Sequence, residues 1–306
     1  MSSLPQRTRV YQNHHMDSTR WDYFEPRDDD IVIATSYKAG TTWTQAIVAH
    51  LLFPDGHFPA PPFDMSPWLD MRIIPLEVVL NKLKAQQHRR FIKTHLPLDG
   101  LPYRENTKYL YIARDTRDVF MSLWNHYSTM KDEAFMLMNH LPGRQGDELP
   151  PPPKDIHAFW KDWITRGAFE WESDGWPYWS HLSNVQSWWP YRHLPNIALF
   201  HYNDMLADTE REMRRMAAFL EIEVPDRAWG TIVEAVSFAE MKQQGDLYAP
   251  GGGQFWKGGA AAFLHKGTNE RWREVLSEDE LALYDTACKR VLTDDSRAWL
   301  ENGGSI

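Results

Sequence analysis

Cysteine is almost absent from this chain, since Cys288 is the only one among 306 residues. A single thiol excludes an intramolecular disulfide, so a reducing compartment fits better than a secretory one. No stretch approaches the roughly 20 apolar residues that span a bilayer. The N-terminus also lacks the apolar core of a signal peptide. We therefore expect a buried thiol at Cys288 and a soluble, cytoplasmic protein without a membrane anchor.

Positive charge is also scarce, with 33 Lys and Arg against 42 Asp and Glu and a formal net charge of −9. This balance argues against nucleic acid or an anionic membrane as a partner. Any anionic ligand must be held by locally placed cations. The histidines are scattered without an HExxH pattern, so no metal site is expected. For His14 and His15 we expect an exposed pair.

Aromatic residues are plentiful by contrast, with 15 Trp, 12 Tyr and 14 Phe. Tryptophans crowd between residues 159 and 191, where we expect most of them in the core. Such a concentration also suits a pocket for a flat or apolar ligand. The crowded tryptophans are Trp160, Trp163, Trp171, Trp176, Trp179, Trp188 and Trp189.

The pattern of strands and helices favours an α/β fold. A continuous apolar run from Ile31 to Ala34 predicts a strand buried on both faces, as in a parallel sheet. A helical pattern then begins at Trp43 and ends at Phe53, before Pro54. Three further segments read as strands: residues 90 to 95, 108 to 114 and 196 to 202. We predict a single domain over 1–306 with a central, mainly parallel β-sheet flanked by helices.

Two later helices carry start signals. Thr209 with Glu212, and Ser277 with Glu280, have the spacing of a capping box. Long loops or lids are predicted for two stretches rich in Pro and Gly, residues 142 to 154 and 249 to 267.

The segment SYKAGTTW, residues 36 to 43, joins the first strand to its helix. Such a loop points free N–H groups and the positive end of the helix dipole at one place, where a phosphate binds well. Lys38 precedes Gly40, whereas the ATP-type loop places its lysine directly after the last glycine. This order argues against an ordinary NTPase or kinase.

With five further segments, this loop resembles that of the soluble sulfotransferases that use 3′-phosphoadenosine 5′-phosphosulfate (PAPS), including bacterial aryl and alkyl sulfotransferases. The matches follow the family's order between about residues 30 and 275, leaving residues 1–29 as an N-terminal extension that contributes to the surface or the pocket. The segments are FIKTHLP (91–97), YIARDTRDVFMS (111–122), LFHYNDM (199–205), VSFAEMK (236–242) and FLHKG (263–267).

The resemblance implies a P-loop-like sulfotransferase fold, PAPS as donor, its desulfated form PAP as product, and no metal. It implies that Lys38 and Lys93 act on the sulfate and the leaving phosphate, and that His95 is the general base. Arg114 and Ser122 would hold the 3′-phosphate. The adenine would lie between Trp43 and Phe238 with Tyr202 at its edge. The complete implied donor site is Lys38, Ala39, Gly40, Thr41, Thr42, Trp43, Arg114, Ser122, Tyr202, Phe238, Phe263, Leu264, His265, Lys266 and Gly267.

The chain departs from the family pattern at several positions. Tyr37 stands where the family has proline, Ala39 where it has serine, and His265 where it has arginine. Residues 271–273, Arg-Trp-Arg, replace the frequent Asp-Trp-Lys. The family's short dimerisation motif is not visible in RWREVLSEDE, so the oligomeric state stays open.

The expected acceptor is a hydroxyl group of a small lipophilic phenol, alcohol or sterol-like compound. Its pocket would draw on Phe and Trp residues of segment 159–191 and on the two predicted loops. A catalytically silent nucleotide-binding sensor or scaffold is an alternative, although binding alone would not require a base at His95. A carbohydrate sulfotransferase is the other alternative, although its Golgi form would need an anchor.

Overall fold

Four short strands form one parallel sheet at the centre of the computed structural model, which describes residues 4–306. The strands are β1 (Ile31–Thr35), β2 (Phe91–Thr94), β3 (Lys108–Ala113) and β4 (Ile197–His201). Their spatial order is β2-β1-β3-β4 and every neighbouring pair is parallel. This confirms the predicted α/β class, although β2, β3 and β4 are shorter than their sequence patterns indicated.

Helices connect and cover the strands. The α-helices are α1 (Thr41–Leu52), α2 (Pro62–Met65), α3 (Leu76–Ala85), α4 (Thr116–Ser128), α5 (Asp132–His140), α6 (Ile156–Thr165), α7 (His181–Trp188), α8 (Tyr202–Ala207), α9 (Thr209–Leu220), α10 (Trp229–Ala235), α11 (Phe238–Gln243), α12 (Gly245–Tyr248), α13 (Gly259–Phe263), α14 (Glu278–Val291) and α15 (Asp294–Asn302). Short 3-10 turns lie at Ser18–Tyr23, Leu98–Gly100, Trp189–Tyr191, Asp226–Ala228, Pro250–Gly253 and Arg271–Glu274. Along residues 4–306, no helix combines the length and the apolar character needed to cross a membrane.

The sheet separates two hydrophobic cores because successive side chains of a strand point to opposite faces. Val32 and Ala34 of β1 belong to the core that α4, α6, α7 and α14 cover. Ile31 and Ile33 belong to the core on the other face, beneath α1, α9 and α10. Both faces of β1 are therefore buried, which explains its uninterrupted apolar sequence.

Of the two predicted capping boxes, one is confirmed and one is wrong. Ser277 and Glu280 form the reciprocal bonds of a capping box at the start of α14. At α9 the cap is Asp208, whose carboxylate accepts from the N–H of Arg211 at 3.0 Å. Thr209 is already helical and its hydroxyl donates to the carbonyl of Met205. The carboxylate of a preceding residue thus takes the role predicted for Thr209.

The tryptophan-rich segment is mostly core, as expected. Trp160, Trp163, Trp179 and Trp188 are among the largest fully buried side chains, whereas Trp171 is 39% exposed. Cys288 is buried, which confirms the expectation of an enclosed thiol. Loop 142–154 contains no helix or strand, but 249–267 includes a 3-10 turn and α13.

The expectation that His14 and His15 form an exposed pair is wrong. His14 is 3% exposed and His15 is 5% exposed. Backbone bonds explain this burial, because the N–H of Asp17 donates to Asp70 and the N–H of Arg72 donates to His15. The N-terminal segment is thereby fixed against residues 70–72, and it carries both imidazoles inside.

Candidate functional site

A cavity of about 790 Å³ opens where the strands end. Three of the four strands are followed at once by a residue that the sequence had nominated. His95 follows β2 directly and Arg114 follows β3 directly, while Tyr202 follows β4 and begins α8. Loop 36–40 leads from β1 into α1. Carboxyl ends of parallel strands meet at one edge of a sheet, which is the usual ligand-binding edge of open α/β folds.

The loop after β1 has two residues in the left-handed region, Lys38 at φ 59° and Gly40 at φ 110°. Gly40 is required twice over, because an added Cβ would also lie 3.0 Å from the ring of Tyr202. The twelve-residue helix α1 begins at Thr41 directly after it. The free N–H groups of the first helical turn therefore face the cavity that Thr41 and Thr42 line.

Tyr37 stands at the position where the resembled loop pattern has proline, and its side chain is held by two hydrogen bonds. Its hydroxyl donates to the carbonyl of Trp179 at 2.8 Å and accepts from Nε1 of Trp163 at 2.9 Å. Ala39 is fully buried beside it in the same hydrophobic core. The hydrogen bonds of Tyr37 and the packing of Ala39 therefore fix the loop against the hydrophobic core.

Two lysines, Lys38 and Lys93, line the cavity. Nζ of Lys38 lies 3.3 Å from Nδ1 of His126, and Nζ of Lys93 lies over the ring of Trp68 at 4.5 Å from its centroid. Neither joins an ion pair within residues 4–306. Burial, then Lys93 and Arg114, lower the pKa of Lys38 to about 7. Burial lowers the pKa of Lys93 to about 8, although the nearby Asp70 carboxylate acts in the opposite direction. Both ammonium groups are therefore suited to an anionic ligand.

His95 has a defined tautomer. Its Nδ1 lies 3.0 Å from the carbonyl oxygen of Thr35, which can only accept, so Nδ1 carries the proton and Nε2 does not. The Asn184 side chain donates to the His95 carbonyl at 2.9 Å, and the ring meets Trp68 edge to face. Burial, followed by Lys93 and Lys38, holds the His95 pKa well below its usual range. A neutral imidazole with a free Nε2 is the form a general base requires.

His126 is a cavity residue that sequence reasoning missed. Its Nδ1 accepts from the Lys38 ammonium when that group is charged, and the proton of His126 is then on Nε2. His126 and Ser122 are four residues apart on α4, and both line the cavity. Helical spacing from Ser122 was the signal that could have found it.

A second cationic region lies beyond the lysines. Arg114 donates to Oδ1 of Asn269 at 2.7 and 3.0 Å and to the carbonyl of Thr268 at 3.0 Å. Its guanidinium also lies over the ring of Tyr202, 4.2 Å from the centroid. Ser122 lines the same cavity. These bonds leave Nη1 of Arg114 for a ligand.

Arg271 adds a second guanidinium that the sequence analysis did not assign to the site. It lines the cavity, and its buried Nε has no hydrogen-bond partner among the described residues. Burial and the neighbouring Arg114 lower the pKa of Arg271. His265 also lines the cavity, with a buried Nδ1 that is likewise unpartnered. Arg271 therefore supplies a permanent positive charge to this region of the cavity, which the neutral imidazole of His265 does not supply.

The nominated adenine residues surround one part of the cavity. Trp43 donates from Nε1 to the carbonyl of Val236 at 2.9 Å, which fixes its ring. Gly267 has φ 67°, and a Cβ there would lie 2.5 Å from the ring of Phe238. Tyr202 packs between Trp43 and Arg114. The remaining nominated residues Phe263, Leu264 and Lys266 also line the cavity.

The rest of the cavity wall is mainly apolar. Segment 159–191 contributes Trp179, as expected, together with Tyr178, whereas loop 142–154 contributes none of the lining residues, contrary to expectation. The short α5 and the stretch before α3 contribute much of the apolar wall, and segment 249–267 lines the cavity as expected. The wall includes Met71, Ile73, Met130, Ala134, Met138 and Trp179. Within residues 4–306, no group of three or more His, Cys, Asp or Glu side chains could hold a metal ion.

Comparison with known proteins places these features in context. The model of the sulfotransferase domain family matches residues 28–296. A glycolipid sulfotransferase of Mycobacterium bovis is 30% identical, with 96% of this chain and 94% of the relative covered. Rat sulfotransferase 1A1 is 26% identical over 87% of this chain and 85% of its own. The crystal structure of mouse sulfotransferase SULT7A1 complexed with PAP superposes with a TM-score of 0.69 at 21% identity, covering 92% of this chain and 91% of that one.

Proposed function

This chain belongs to the sulfotransferase domain family, and we propose that it transfers a sulfuryl group from PAPS to a hydroxyl group of a lipophilic acceptor. The observation that carries the proposal is one arrangement in one cavity. Two lysines that form no ion pair within residues 4–306 line the same cavity as an imidazole whose Nε2 is free to accept a proton.

The residues of the cavity suit a donor with several negative charges. The N–H groups at the start of α1 and the hydroxyls of Thr41 and Thr42 would hold the 5′-phosphate. Arg114, with Ser122, would hold the 3′-phosphate, and we add Arg271 as its second guanidinium. The unpartnered Nε of Arg271 supports this assignment, because a buried donor without a partner is costly until a ligand accepts from it.

Sulfuryl transfer requires stabilisation of the developing negative charge and a base that accepts the proton of the acceptor hydroxyl. In sulfuryl transfer the group passes in line between two oxygens, and negative charge grows on the leaving phosphate. Lys38 and Lys93 would stabilise that charge more strongly in the transition state than in the ground state. Nε2 of His95 would accept the proton of the attacking hydroxyl, while the Thr35 carbonyl keeps the ring oriented.

The apolar wall supports a lipophilic acceptor. Ile74 and Val78 line the cavity and are 45% and 54% exposed, so the apolar surface continues to the outside. An alkyl chain could therefore extend past the wall while a hydroxyl reaches His95. The similarity to the M. bovis glycolipid sulfotransferase supports an amphiphilic acceptor of this kind. A single domain over 1–306 and a cytoplasmic location stay predictions.

Transfer of ³⁵S from labelled PAPS to a panel of alkyl glucosides, phenols and sterols tests this function. We expect labelled product with an amphiphilic alcohol, and turnover lowered about 10²- to 10⁴-fold in His95→Ala. The control His193→Ala changes an exposed histidine outside the cavity. PAP affinity should stay within about twofold in both variants. Full activity of His95→Ala would exclude the base, and tight PAP binding without transfer to any acceptor would favour a sensor or scaffold.

A further inference from the structure

The pair His14-His15 is a rigid part of the fold. Oδ1 of Asn13 accepts from the backbone N–H of His15 at 2.8 Å and from that of Met16 at 3.0 Å. The carbonyl of His15 accepts from the N–H of Arg72 at 2.9 Å. The two rings are therefore held by backbone bonds on both sides of the turn.

The hydrogen bonds of the pair decide where its protons are. Nε2 of His14 lies 2.7 Å from the carbonyl oxygen of Pro177, so this nitrogen carries a proton and donates it. In the neutral ring, Nδ1 of His14 is then bare, and it accepts from Nδ1 of His15 at 2.5 Å. His15 has used its proton in that bond. Its Nε2 is consequently a bare acceptor.

The imidazole of His15 lies in the part of the cavity wall that includes Trp179 and His95. His15 lines the cavity, whereas His14 does not. The ring of His15 lies 5.1 Å from that of Tyr178 and 6.0 Å from that of Trp179, and the His95 ring is also 6.0 Å from Trp179. No hydrogen bond joins Nε2 of His15 to another residue that the structure describes. Burial, followed by His14, His126 and His95, holds the pKa of His15 well below its usual range, so the ring is neutral.

We propose that Nε2 of His15 accepts a hydrogen bond from a second hydroxyl group of the acceptor. The cavity then selects polyhydroxylated amphiphiles over analogues that lack this hydroxyl. The inference rests on the proposed function, in which His95 takes the proton of the reacting hydroxyl. An analogue without the second hydroxyl would displace water from Nε2 and offer nothing in return, and an unpaired buried acceptor is costly.

Ligand binding to the PAP-loaded protein tests the inference without requiring turnover. Octyl β-glucoside and its monodeoxy analogues are titrated calorimetrically into wild type, His15→Phe, His15→Gln and the control His193→Phe. In wild type and the control, removal of one particular hydroxyl should raise Kd about tenfold. In His15→Phe the same pair should bind with a Kd ratio near one. His15→Gln should keep part of the discrimination, because its amide oxygen can accept the bond.

The ratio separates recognition from a merely structural role. A structural role would weaken all glucosides alike and leave the wild-type ratio in His15→Phe, which would overturn the proposal. Equal binding of all deoxy analogues by wild type would overturn it too. A ratio lost in His15→Phe, with no ³⁵S transfer from labelled PAPS in wild type, would support the inference while contradicting the proposed function.

Discussion

The affinity for PAP should fall steeply between pH 7 and pH 9, because Lys38 and Lys93 lose their protons in the free protein over this range. The pKa is lowered to about 7 at Lys38 and to about 8 at Lys93. A bound phosphate favours the charged form and raises both pKa values. Full affinity is therefore present below the pKa of the free protein, and it is lost as pH rises through that value towards the pKa of the complex.

The magnitude follows from the two pKa values. Lys38 is about half protonated at pH 7 and about 1% protonated at pH 9, which costs about 50-fold in affinity. Over the same range the protonated fraction of Lys93 falls about tenfold, which lowers the affinity by a further factor of about ten. The combined loss of affinity is therefore about 500-fold. The phosphates of PAP, whose second pKa is about 6, lose little further proton above pH 7. The slope of log Kd against pH should thus approach two between pH 8 and pH 9.

Calorimetric titration of PAP at pH 7, 8 and 9, at constant ionic strength, measures this slope. Lys38→Met and Lys93→Met should each lower it by about one, because each removes one titrating group. The control Lys161→Met changes an exposed lysine on α6 and should keep the wild-type slope. A Kd that stays constant within twofold from pH 7 to pH 9 would refute the reasoning.

Two substitutions test other parts of the donor site. Arg271→Ala should raise the Kd of PAP about 10- to 100-fold through loss of a charged hydrogen bond, yet leave the Kd of 5′-AMP, which has no 3′-phosphate, within about twofold. Its control is Arg273→Ala, since Arg273 pairs with Glu270 at the surface, and equal losses for both nucleotides would contradict the assignment. Gly267→Ala should weaken PAP and 5′-AMP alike, because its Cβ would displace Phe238. Gly252→Ala, at φ 63° with nothing within 4 Å of an added Cβ, is the matched control, and equal effects of both changes in calorimetric titrations would exclude the clash.

Sequence patterns predicted the parts of the site that adjoin strand ends. Lys38, His95 and Arg114 each follow a buried apolar run, and parallel strands bring such positions to one edge of the sheet. The resemblance then supplied their implied roles. Arg271 could not be assigned in this way, because its position in the cavity depends on a turn after Gly267 that packs near Arg114.

His15 shows the same limit more clearly. Two adjacent histidines near an N-terminus have no periodicity that indicates burial. Their burial depends on backbone bonds to residues 70–72, more than fifty positions away. The tautomer depends in turn on the carbonyl of Pro177, which is more distant still along the chain. Such an arrangement is a property of tertiary contacts, and local sequence carries no signal for it.

The reversed order of lysine and glycine in the loop has a physical reason in this fold. Lys38 is a non-glycine residue at φ 59°, a conformation that costs roughly 1–2 kcal/mol and persists only where the surroundings impose it. On one side of Lys38, Tyr37 is fixed by its bonds to Trp163 and Trp179. On the other side is Gly40, where the ring of Tyr202 leaves no room for a side chain. The left-handed turn lets the backbone of Lys38 remain in the loop while its ammonium lies beside His126, among the residues after β2 and β3.

A lysine placed directly after Gly40 would be the first residue of α1 instead, and its side chain would project from the helix. A proline at position 37 would fix only the backbone φ angle. Tyr37 instead joins the loop to the cavity wall, because its hydroxyl bonds to the carbonyl of Trp179.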